Sequence, residues 1–250
     1  MSLAPNVTSI LVAIGARRTL AGVSRWCEDV ASEVADLPQA GDCWKLDVGE
    51  VMALRPDLVI GSVPFKAEVV AQIIEQSVAF LSISPRSLAG IQSDIRLLGR
   101  LANRGKAAEA LIGQMARAFE GVARQAANKT SERPRVYAEA WPNPRISSPP
   151  WVAELIEIAG GIPVVAAGQR VSDEDVAKAR PDVIVLAWTN TGDRSKPTRA
   201  YGVKAWKDVP AIRYRRVLVV RDELLNTPGP PLIAGVRALF SAIHQPGRAR

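Results

Sequence analysis

Tryptophan carries the most distinctive chemistry in this chain. Aromatic residues are only 5% of the 250, yet six of them are tryptophan. Trp26 follows a predicted strand, Trp44 sits in Gly41-Asp42-Cys43-Trp44, and Trp141 sits in Glu139-Ala140-Trp141-Pro142-Asn143-Pro144. Trp151 begins a predicted helix, Trp188 ends a strand, and Phe65 follows another strand. Loops carry binding residues because a rigid scaffold positions them. Large flat rings on such loops could wall a site for a large, partly apolar ligand that a few polar groups orient. Arg25 and Arg145 lie beside these aromatics and could bond a ligand amide, carboxylate or phosphate. Asn226 opens the rigid run Asn226-Thr227-Pro228-Gly229-Pro230-Pro231, which either closes a cleft or only punctuates the chain. Trp206, within an outer helix expected over 201–208, reads as core packing.

Catalytic chemistry is hard to assemble from the rest. The single histidine, His244, stands near the end of the chain, which removes Ser-His-Asp and Cys-His arrangements and argues against a zinc or manganese site. No glycine-rich phosphate loop and no Gly-x-Gly-x-x-Gly after a strand is present. Glu28, Asp29 and Asp42 read as caps or solvated groups, since paired catalytic carboxylates need a specific separation. The expectation is a chain that is not an enzyme, with no cofactor and no metal. Cys27 and Cys43 lack metal-ligand spacing; each sits beside a tryptophan, as a small buried thiol or as half of a bridged pair.

The elements that must position these residues alternate. Leu54-Arg55-Pro56-Asp57-Leu58-Val59-Ile60 is echoed by Ala179-Arg180-Pro181-Asp182-Val183-Ile184-Val185. Each copy reads as a helix end, a proline that stops it, and a short buried strand. Helices are expected over 6–14, with Asn6 as cap, and over 48–54 and 68–75, with strands over 20–23, 57–60 and 78–83. The segment 87–128 has no strand signal, and its apolar residues recur at helical spacing with a break at Asn103-Arg104-Gly105. A strand over 135–140, a helix over 152–159 stopped by Gly160-Gly161, a Ser-capped helix over 172–179, strands over 182–187 and 217–220 and a helix over 231–243 complete the pattern. The fold class is therefore α/β with mainly parallel sheets. The expected parts are an N-terminal lobe (1–86), a linking spine helix (87–128) and a C-terminal lobe (129–250), with a ligand held between two similar halves at their strand ends.

Formal charge is +7 at pH 7, but the basic residues are scattered and no nucleic-acid motif accompanies them, so no nucleic-acid partner is expected. No apolar run approaches the roughly 20 residues that span a membrane. The chain opens on Met1-Ser2-Leu3-Ala4-Pro5-Asn6, which reads as a strand already under way. A periplasmic or extracytoplasmic protein with its leader removed is expected, or a cytoplasmic one if Met1 is the true start.

Ser2-Leu3-Ala4-Pro5-Asn6, Gly22-Val23-Ser24-Arg25-Trp26, Gly41-Asp42-Cys43-Trp44, Leu54-Arg55-Pro56-Asp57-Leu58-Val59-Ile60, and Trp151-Val152-Ala153-Glu154-Leu155 with Gly160-Gly161 resemble substrate-binding proteins of ABC importers. The subgroup is that for vitamin B12 and iron-siderophores. The resemblance implies the class III periplasmic-binding-protein fold, two Rossmann-like lobes joined by a long helix, acting mostly as a monomer. It implies that Trp26 and Trp44 flank a corrinoid carried as cargo and that an ABC permease is the membrane partner. It implies a docking glutamate on each lobe, seven residues before the repeated proline; Glu174 matches, whereas the first lobe has Gly49 there, with Glu50 next to it. A ferric siderophore or haem as cargo, or a cytoplasmic corrinoid-handling role, are the alternatives.

Overall fold

In the computed structural model the described residues are 1–41, 46–62, 67–129, 132–189 and 196–246. They form two compact units, Met1–Gln114 with Pro228–Pro230, and Met115–Thr227 with Pro231–Arg250. The boundary falls inside one long helix, not at either of its ends.

In the first unit the chain begins as a sheet strand. Ser2 pairs in parallel with Val23 on one side and Ile60 on the other, and Val23 pairs with Gln39. Beyond Ile60, β1 (Leu58–Ser62) pairs in parallel with β2 (Ala79–Ile83). The strand expected over 20–23 shrinks to Val23, because Arg17–Thr19 turns as a 3-10 helix and Leu20 ends it. Helix α1 (Pro5–Ala13) starts on Pro5, whose fixed φ suits a first helical position. Asn6, expected as its cap, lies inside the helix and is buried. Helix α2 (Val48–Ala53) is capped by Asp47, whose carboxylate accepts from the Gly49 and Glu50 amides at 2.8 and 3.3 Å. Helix α3 (Ala67–Glu75) packs Ile73 into a core of Met1, Leu3, Ala40, Val51 and Val59.

The helical segment breaks where expected. Helix α4 (Leu88–Leu101) ends at Ala102, Asn103 turns left-handed at φ 52°, and α5 (Gly105–Ala127) follows. A Cβ on Gly99 would lie 2.5 Å from the Ala108 Cβ, so only glycine lets α4 approach α5 this closely. Across the bend Arg96 makes a bidentate pair with Glu109 at 2.8 and 3.1 Å. At 23 residues α5 is about 35 Å long at the usual helical rise.

The second unit is built on β3 (Arg135–Pro142), which pairs in parallel with β5 (Ile162–Pro163) and β6 (Val183–Leu186) and antiparallel with β4 (Arg145–Ser147). Strand β7 (Val217–Val219) extends the sheet from β6 in parallel. The antiparallel β4 lies outside the sequence expectation. It arises because β3 runs past its parallel partners into Trp141-Pro142-Asn143-Pro144 and folds back before α6 (Pro150–Ile158). Helix α7 (Asp173–Ala179) opens with a full capping box between Ser172 and Asp175. The helix expected over 201–208 is two pieces, α8 (Thr198–Tyr201) and a 3-10 turn at Lys204–Trp206. Helices α9 (Pro210–Arg213), α10 (Asp222–Asn226) and α11 (Leu232–His244) complete the unit. Its core packs Trp206, fully buried as expected, with Tyr137, Ile184, Leu186, Val176 and Val217. His244 sits on the Ala159 carbonyl at 2.9 Å and against the Phe240 ring.

Candidate functional site

The parallel sheet of each unit directs its carboxyl-end loops to one edge, where ligands bind in open α/β sheets. In the first unit that edge carries Arg25 and Trp26. Their turn hangs on a buried polar chain: Thr8 donates to the Ser2 hydroxyl at 2.7 Å and approaches the Cys27 sulfur at 3.0 Å, and the Ser24 hydroxyl lies 3.1 Å from the same sulfur. Cys27 is a buried thiol outside any disulfide. Burial pushes its pKa up, against hydrogen bonds from Ser24 and Thr8 that pull it down. With the turn anchored from beneath, Arg25 stands exposed and lays its guanidinium over the half-buried Trp26 ring, 4.2 Å from the centroid. The Arg25 amide also bonds Gly41 O at 3.0 Å. Trp44 and Phe65, expected on neighbouring loops, lie outside the described residues, as does Cys43.

In the second unit the sequence candidates separate. Trp141, at the tip of the β3–β4 hairpin, is 40% exposed, and its indole donates to Asn143 O at 2.8 Å. A β-bulge between Glu139 and Trp141 turns the exposed ring away from the inward series Tyr137–Glu139. Trp188 and Trp151, read from sequence as ligand-facing, are instead 4% and 8% exposed. The Trp188 indole donates to Glu139 at 2.8 Å, and the Trp151 indole to Leu225 O at 2.8 Å. Asn226 donates to Ala187 O at 2.8 Å and tethers the end of β6.

Arg145 also differs from its expected role. Its side chain is 13% exposed and is gripped by two carboxylates, Glu139 on one side and Asp173 on the other, with Nε–Oδ1 2.9 Å to the latter. Its guanidinium lies 4.3 Å from the Trp206 ring centroid. Burial works against its charge, but Glu139, Tyr137 and Asp173 outweigh that and raise its pKa. Arg145 therefore completes an internal network. The centre of that network is Glu139, which sequence reasoning passed over. It is fully buried and accepts from Tyr137 Oη at 2.8 Å, from the Trp188 indole, and from Arg145. Burial, then the Glu139 charge, push the Tyr137 phenol far up, so it stays a neutral donor. The signal was legible: a carboxylate in the apolar run Val136-Tyr137-Ala138-Glu139-Ala140 demands a partner.

The two candidate docking glutamates stand exposed in first helical turns. Both helices are capped nine residues before the repeated proline, by Asp47 and Ser172. Glu174 is thus the second residue of α7, whereas Glu50 is the third of α2, in register with the capping residue Asp175. Among the described residues no group of His, Cys, Asp or Glu forms a metal cluster, and no helix is long and apolar enough to cross a membrane.

The periplasmic binding protein family model matches residues 1–224, and the chain belongs to that family. This is a family of binding proteins and not of enzymes. The cobalamin-binding protein of Halobacterium salinarum is 22% identical over 255 residues, covering 98% of this chain and 69% of that protein. Among solved structures, the apo periplasmic haem-binding protein RhuT of Roseiflexus sp. RS-1 superposes with a TM-score of 0.83 at 24% identity, covering 97% of this chain and 96% of its own. The periplasmic vitamin B12-binding protein BtuF of Vibrio cholerae gives 0.76 at 19% identity, covering 97% and 94%. At these identities the superpositions establish the fold, the class III periplasmic-binding-protein architecture.

Proposed function

We propose that this protein is the substrate-binding component of an ABC importer and that its cargo is a corrinoid. The observation that carries the reading is the Arg25–Trp26 plate, an exposed cation stacked on an indole at a strand-end loop. The exposed Trp141 ring at the corresponding edge of the second unit supports it. Such rings supply apolar contact with a flat macrocycle, and Arg25 suits its amide or phosphate periphery. The resemblance to proteins named as cobalamin-binding points to the same cargo. Trp44 and Phe65 are proposed as further contacts, and Glu174 and Glu50 as contacts to the permease.

Calorimetric titration with cyanocobalamin and with cobinamide, its relative lacking the nucleotide loop, tests the reading. Binding of either at micromolar concentration or tighter is expected, and heat from neither would reject the corrinoid. Haem is the second reading, favoured by the likeness to RhuT. Its iron would call for an axial side chain. Tyr137 and His244 have internal partners; of the two exposed tyrosines, Tyr201 and Tyr214, Tyr201 stands two residues from the Arg199 that overlies Trp188 at 5.6 Å. A Soret shift on adding haemin that Tyr201→Phe abolishes would favour haem over the corrinoid.

A further inference from the structure

A continuous run of charge-assisted contacts leads from the strand-end edge of the second unit to the first turn of α7. It starts at Trp188, whose indole holds Glu139, and passes through Arg145 to Asp173, the first residue of α7. Each link is constrained further. Tyr137 donates to the Glu139 oxygen that also faces Arg145. The Arg145 guanidinium is flanked by carboxylates at both edges and by the Trp206 ring on one face. Trp206 in turn donates its indole to the Asp173 carbonyl at 3.0 Å and meets Tyr137 edge-on at 6.1 Å. The next residue of α7 is the exposed Glu174.

Burying an ion pair is a poor way to gain stability, because well-packed apolar residues often do as well or better. What such a network supplies is fixed geometry, since a guanidinium held at both edges and on one face has no other orientation. The first unit has no counterpart at the same place: its strand passes from Ser2 straight into α1 at Pro5, with no hairpin and no buried carboxylate between.

We propose that Arg145 is a positioning residue that links the Trp188 indole to the first turn of α7, so that a shift of the strand end is read out at Glu174. The link rests on the proposed function only in assigning Glu174 to permease docking; the coupling itself needs no ligand.

Hydrogen–deuterium exchange of the ligand-free full chain tests it. Trp188→Phe keeps the ring and removes the donor to Glu139, while Arg145 stays paired. The amides of Asp175, Val176 and Ala177 are expected to exchange several-fold faster in this variant than in wild type. In an Asp173→Ala background, where the last link is cut, adding Trp188→Phe is expected to change those amides by less than twofold. Tyr137→Phe, which removes the other neutral donor to Glu139, repeats the test from a second direction. Unchanged α7 exchange in both Trp188→Phe and Tyr137→Phe would overturn the coupling, as would an equal increment with and without Asp173. Failure of corrinoids and haemin to bind would instead reject the proposed cargo and leave this result standing.

Discussion

The fully buried Glu139 of the second unit and the half-buried Asp94 of the first are treated in opposite ways. Glu139 is fully enclosed and has three donors: a phenol, an indole and a guanidinium. Asp94, half-buried on α4 of the first unit, has no hydrogen-bond partner at Oδ2, and burial pushes its pKa up to about 6. The difference teaches where this fold keeps charge. In the second unit a charge is held in place by partners from two strands, the loop beyond a third strand and a helix N-terminus. In the first, the half-buried carboxyl is a local cost, and the cation of Arg25 stands at the surface on an aromatic face.

The contrast is broken most severely by removing one partner of the enclosed pair. Arg145→Met leaves Glu139 buried without its cation and should destabilise the second unit by about 3–5 kcal/mol. Arg25→Met, at an exposed site, should change stability by less than about 0.5 kcal/mol while weakening ligand binding. Urea melts of the two variants make the comparison; equal losses would mean that Arg145 is no more structural than Arg25.

The half-buried Trp26 and the exposed Trp141 should show the reverse pattern. Trp26→Ala and Trp141→Ala are each expected to weaken cargo binding by about 1–2 kcal/mol, roughly five- to thirtyfold in Kd, with little change in melting temperature. Titration calorimetry reads the first and thermal melting the second. A variant that melts early and binds normally would move that ring from the site to the core.

Asp94 sharpens the comparison through pH. A carboxyl whose folded pKa lies near 6, above its unfolded value of 3.8, binds a proton more readily in the folded state. Its contribution is therefore favourable below about pH 4 and is lost as pH rises through 6. Asp94→Asn should stabilise the protein at pH 8 by about 1 kcal/mol, a figure reduced for partial exposure, and do almost nothing at pH 4. For a chain of this size that is a rise in melting temperature of about 2–4 °C. An equal gain at both pH values would show that packing, not ionisation, is responsible.

The smallest effect separates the two copies of the repeated helix. Ser172→Ala dismantles a full capping box and should cost about 1 kcal/mol. Glu50→Ala removes no cap, since Asp47 does that work alone, and should cost a few tenths at most. A larger loss for Glu50→Ala in a melt would give that glutamate a structural role.

Much of this is legible in the sequence. The repeated Arg-Pro-Asp phrase predicts two helix–strand units, and in both the arginine turns left-handed, at φ 46° for Arg55 and 43° for Arg180, ahead of a proline that cannot continue a helix. The break at Asn103 and the Ser172 cap were equally local. The strand over 20–23 was not: its pattern is strand-like, but the preceding 3-10 turn leaves only Val23 to pair. Strand β4 escaped because a three-residue partner in a hairpin has no periodicity of its own.

For this protein the sequence by itself determined the alternation of elements, the parallel sheets that follow from it and the family, because those depend on periodicity and on residues close in the chain. It also marked aromatics at strand ends as the distinctive chemistry. Only the tertiary structure decided which rings face outward. Trp141 lies at the end of β3 and Trp188 just beyond β6, yet a bulge exposes one, and a carboxylate 49 residues away in sequence holds the other inside. Whether Arg145 reached a ligand or two internal carboxylates was decided in the same way, since side-chain partners are chosen by proximity in space and by the cost of leaving a buried charge unpaired.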